Sequence, residues 1–104
     1  MIEVLGILSS SQKQLTYERD VPGIPVTSEL LSMWFDDTYL PDSKAFRECF
    51  SENELAMLAA FNEYYDQYSR RLPEAANGVA DWLNDDAWRQ IMQRASELLN
   101  KLQP

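Results

Sequence analysis

Glu63 and Asp66 stand three residues apart in a stretch of helical spacing, and Asp36, Asp37 and Asp42 crowd the run WFDDTYLPDS at residues 34–43. Carboxylates so placed suit two chemistries. A pair can serve as general acid and general base, and several together can hold Mg²⁺ through oxygen. Other common catalytic sets are missing from the chain. There is no histidine, which removes Ser-His-Asp, Cys-His and His-ligated metal arrangements together. Neither GxxxxGK[ST] nor GxGxxG occurs, so no ordinary phosphate cradle is visible.

The ExxD of Glu63 and Asp66 resembles half of the signature of all-α nucleotide pyrophosphohydrolases of the MazG type. That family completes its metal cage with an ExxE on a preceding helix. Here Glu48 and Glu52 are four apart, Glu52 and Glu54 are two apart, and no ExxE exists. Arg70, four residues after Asp66, offers a plainer role for that carboxylate, an exposed ion pair. The reading is therefore a non-enzyme with no catalytic residues, no metal ligands and no cofactor. A carboxylate-metal hydrolase is the alternative, and it requires Asp36 or Asp37 to meet Glu63 and Asp66 in space.

Helices must position these acids. Ser51 followed by Glu54 predicts a capping box, with Phe50 and Leu55 as a hydrophobic staple. Leu58, Phe61, Tyr65, Tyr68 and Leu72 then recur at steps of three and four, one face of a helix that Pro73 should stop near Leu72. Trp88, Ile91, Met92, Ala95, Leu99 and Leu102 make the stripe of a C-terminal helix. Asp85 and Asp86 lie at its start, and Glu97 and Lys101 form an i,i+4 pair. A short helix is expected within PEAANGVADWLN, weakened by Gly78. DVPGIPV reads as a turn-rich hinge. Thr27 is a candidate cap for SELLSMWF, with Val26 and Leu31 as staple, and Asp42 or Ser43 for SKAFRECF. Residues 1–18 fit helix or strand by apolar spacing, and Gln12 to Glu18 together with the lack of a second strand favour helix. The expectation is an all-α fold, one domain over 1–104, a compact bundle of about five helices. Leu58, Phe61, Tyr65, Trp88, Ile91 and Leu99 should form its core, with Trp34 buried.

The chain carries 17 acids against 9 bases, a net charge of −8. Residues 36–70 hold eight of those acids and three bases, a local net of −5. Such a surface repels nucleic acid and anionic lipid, which bind through Lys and Arg, and attracts basic partners. Cys49 is the only cysteine, which excludes an intrachain disulfide and suits a reducing compartment. Its setting in AFRECF reads as a small buried hydrophobe. No segment approaches the ~20 apolar residues of a membrane span, and Glu3 stands where a signal peptide needs a basic start. The expected location is the cytoplasm.

LLSMWFDDTYLPDSKAF, then CFSENELAMLAAFNEYYDQY, then LP and a Trp-containing C-terminal helix resemble, over roughly residues 30–102, a group of small acidic helical proteins. These are the immunity proteins of bacterial polymorphic-toxin and contact-dependent growth-inhibition systems. The resemblance implies a cytosolic protein that binds and neutralises a cognate basic toxin domain, commonly a nuclease and here with ribonuclease favoured, as a monomer entering a 1:1 heterodimer. It supplies no site residues. Charge and helix geometry do: Asp36, Asp37, Asp42, Glu63 and Asp66 as the binding acids, and Tyr64 as an aromatic beside them. Tyr64, Trp82 and the C-terminal helix are the second choice of contact surface. A helical adaptor for a basic cellular protein is a further alternative.

Overall fold

Seven helices form among the residues that the computed structural model describes, 1–21, 23, 25–72 and 78–102, and no strand. The count exceeds the expected five or so in part because the N-terminal stretch divides in two. α1 (Ile2–Leu8) stops at Ser9, and Ser10 starts α2 (Ser11–Asp20) by accepting the Lys13 amide proton on its side chain. Two consecutive serines thus act as the end of one helix and the cap of the next. Helix over strand for residues 1–18 is the correct choice.

α3 (Val26–Phe35) begins after Pro25, which occupies the N-cap without a side-chain bond. This corrects the expected Thr27 cap and the Val26 staple. Proline carries a fixed φ that leads into helical geometry, so the helix starts before Thr27, and Val26 is already buried in it. Of the two candidate caps for α4 (Lys44–Glu48), Ser43 is the one used, accepting from the Phe46 amide. α5 (Glu52–Ser69) carries the full capping box, with Ser51 Oγ and the Glu54 carboxylate each accepting a backbone N–H. It ends three residues short of Leu72. The amides of Arg71 and Leu72 then bond to Tyr68 and Ser69, a tightened last turn.

Residues 73–77 lie outside the described residues, with Pro73 and the first part of the PEAANGVADWLN helix. So do Pro22 and Ile24 of the expected hinge. α6 (Val79–Leu83) is short and lacks a cap of its own. Glu18 of α2 supplies one, accepting the Val79 amide at 2.9 Å. Gly78 has φ 155°, and a Cβ there would lie 3.0 Å from the Glu18 carboxylate. Glycine leaves room for that contact.

α7 (Asp86–Leu102) packs against α1 on one side and α5 on another, and Asp85 accepts from the Ala87 amide at its start. Its buried stripe is Trp88, Ile91, Ala95 and Leu98. Leu98 replaces the expected Leu99, which is half-buried at the edge of the core. Two neighbours, α1 and α5, widen the buried arc of α7 enough to turn Leu98 inward. Leu58, Phe61, Tyr65, Trp34, Trp88 and Ile91 all lie in the core.

α3 and α5 are joined through rings. The Trp34 indole meets Phe61 edge-on at 4.8 Å and donates Nε1–H to Asn62 at 3.1 Å. Phe35 lies against Tyr65, whose hydroxyl donates to the Leu30 carbonyl at 2.9 Å. Leu30 opposite Tyr65 and Trp34 opposite Asn62 set the two helices antiparallel. That pairing fixes where α3 ends, and therefore where the acidic loop emerges. Among the described residues no helix is long and apolar enough to cross a membrane.

Candidate partner-binding surface

The loop from Asp36 to Ser43 is held at both ends and at Tyr39. Asp36 and Asp37 amides both donate to the Ser32 carbonyl, Tyr39 to Trp34, and Ser43 to Leu40. Arg47 Nη1 donates to the Pro41 carbonyl at 2.8 Å. The Tyr39 ring stacks on Trp34 at 5.4 Å and 3°, and Phe46 of α4 meets its edge at 5.6 Å. Four paired amides and a clamped aromatic ring restrain the loop's shape. Asp36, Asp37 and Asp42 are exposed on it, none in an ion pair among the described residues.

Glu63 belongs on the same side. Burial raises the Tyr39 phenol above its ordinary value, and the nearby Glu63 carboxylate raises it further, because a second negative charge beside Glu63 is unfavourable. Glu63 itself is exposed. Asp66, one turn on, bonds Arg70 at 3.0 Å, the ion pair that its spacing suggested.

Tyr64 stands apart from these acids. It stacks on Tyr68 at 4.2 Å and 13°, and the Arg94 guanidinium of α7 lies over its face at 4.6 Å. Arg71 lies over Tyr68 at 4.7 Å. Burial and the hydrogen bond with Tyr68 raise the Tyr64 phenol, and Arg94 opposes them. The six residues thus divide in two. Glu63 faces the 36–43 loop, while Tyr64, 100° further round the helix, faces α7.

Three other expectations change. Cys49 is exposed, not buried, because α4 is one short turn with no buried residue, and Sγ donates to the Ala45 carbonyl. Trp82 is only 4% exposed and packs on Trp88, so it offers no contact surface. Glu97 and Lys101 lie outside ion-pair distance, both on the rim of a groove between α5 and α7. Sequence reasoning also passed over Leu40, 43% exposed in the middle of the acidic loop. An apolar residue between a tyrosine and a proline, flanked by acids, was the available signal.

Among the described residues no three His, Cys, Asp or Glu side chains gather in a way that could hold a metal ion. Asp36, Asp37, Glu63 and Asp66 therefore do not form a cation cage here. Comparison with protein-family models, curated proteins and solved structures finds no match for this chain.

Proposed function

We propose that this chain is an immunity protein, which binds a cognate basic toxin domain through the acidic surface of Asp36, Asp37, Asp42, Glu63 and Asp66 and so neutralises it in the cytosol of the producing bacterium. The observation that carries the reading is the restrained 36–43 loop with three exposed carboxylates that form no ion pair among the described residues. Among the described residues four basic side chains pair with other acids, and Arg47 meets the loop at the Pro41 carbonyl instead of at a carboxylate. Charge left unpaired on a preorganised surface favours binding, since little side-chain or loop freedom is lost on association. A nuclease needs cations to hold phosphate, and an acidic inhibitor can cover the same cleft. Complementary charge raises association towards about 10⁸–10⁹ M⁻¹s⁻¹ at low salt, which suits capture before damage. The favoured toxin is a ribonuclease, held in a one-to-one complex.

Co-purification with the product of the adjacent upstream gene tests the pairing, and stopped-flow association over a salt series tests the surface. Replacing all five acids by their amides should slow association, flatten its salt dependence and weaken protection, with helical content unchanged. An amide variant that binds the toxin as fast and as tightly as the wild type at every salt concentration would remove this surface from the argument. Retention instead by a basic cellular protein of the host would point to an adaptor.

A further inference from the structure

The groove between α5 and α7 is the cationic counterpart of the acidic loop. Its floor is Met57, Phe61 and Leu98, and Arg94 and Lys101 stand on its rim with Glu97 between them. The cavity measures about 150 Å³, a size that accepts one benzene-sized group. Among the described residues four of the nine basic side chains form ion pairs, and none of those four lines this groove. In a chain of net −8, two cations that form no ion pair among the described residues, set beside one apolar hollow, are an uneven distribution. Arg94 is moreover held in place, because its guanidinium rests on Tyr64, which rests on Tyr68.

We propose that the 36–42 loop of one copy of this chain docks in the α5–α7 groove of a second copy. Leu40 enters the hollow, while Asp36, Asp37 and Asp42 meet Arg94 and Lys101. Each part answers the other in size and sign. Leu40 is the exposed apolar side chain of the loop, and the hollow takes one such group. Three unpaired carboxylates flank Leu40, and the groove rim carries two cations against one acid. No residue of the loop lines the groove, and the loop's hydrogen bonds tie it to α3 and α4. The two parts therefore meet between copies. Repulsion between two chains of net −8 keeps the association weak, and the loop's fixed shape lowers its entropic cost. Toxin and second copy compete for one loop, so self-association holds the acidic surface covered until a tighter partner arrives.

Sedimentation velocity of the chain alone tests this without any toxin, so the outcome is independent of the immunity reading. The wild type should sediment faster as its concentration rises. Leu40→Asp and Arg94→Glu should each raise the self-dissociation constant more than about tenfold, the first because it forces a charge into the apolar hollow, the second because it sets an acid against the acids of the loop. Both sites are exposed, and circular dichroism checks that both variants keep their helices. A mixture of the two variants should associate again, because the Leu40→Asp chain keeps an intact groove and the Arg94→Glu chain keeps an intact loop. A wild type that stays monomeric up to millimolar concentration overturns the proposal. So does association that survives either substitution, or a mixture that behaves as its two components do alone.

Discussion

The indole N–H of Trp88 donates to Gln14 Oε1 at 3.0 Å, joining α7 to α2 across 74 positions. The same amide donates from Nε2 to the carbonyls of Ile7 and Leu8, at 2.9 and 3.1 Å. Those carbonyls end α1, where helical amides run out, and that of Ile7 also accepts from the Ser10 amide. One buried glutamine thus serves three helices through three hydrogen bonds.

Gln14→Ala should therefore be among the most damaging substitutions of a polar residue. It strands the Trp88 N–H in the core, at about 1–3 kcal/mol, and opens a cavity beside it. Urea unfolding of the variant should show that loss. A variant within about 0.5 kcal/mol of wild type, the range of ordinary surface changes, would contradict the account.

Tyr65 makes alkaline stability a second test. Burial raises its phenol well above the ordinary value near 10. A raised folded pKa means that the contribution is whole below the unfolded pKa and is lost as pH climbs above about 10. Wild-type urea midpoints should hold steady to that point and then fall. Tyr65→Phe should lose about 0.5–1.5 kcal/mol at neutral pH with the bond to Leu30, and its alkaline decline should be shallower. Tyr39 and Tyr64, also raised, keep the decline from vanishing.

Ser51→Ala removes one half of the α5 capping box and should cost about 1 kcal/mol, whereas Ser51→Asn should keep most of it. Both variants are read by thermal unfolding. Equal losses from the two would show that the hydroxyl is not the acceptor that matters.

Cys49 should react with a thiol reagent in the folded protein without denaturant. The rate expected is close to that of the urea-unfolded chain, because the side chain is exposed on the short α4. Strong protection in the native state would return Cys49 to the core.

The helices whose stripes repeat over many turns were legible in the sequence. α5 has a reciprocal cap and a 3–4 stripe, and Leu58, Phe61 and Tyr65 are buried as that stripe requires. Such signals are local, carried by residues within one or two turns, and no neighbour needs to be known. The carboxylates and their charge were legible for the same reason. What neighbours decide was not. Leu98 instead of Leu99 faces inward because α7 touches both α1 and α5. Tyr64 leaves the acids because Arg94 waits on α7, and Gln14 is buried because Trp88 and the end of α1 meet there. Helical periodicity assigns a residue to a face, but only the packing of other helices determines what that face meets. Composition alone settled an acidic, histidine-free chain. The tertiary structure separated its charge into an acidic loop and a cationic groove, because side chains far apart in sequence take their partners only once the helices are packed.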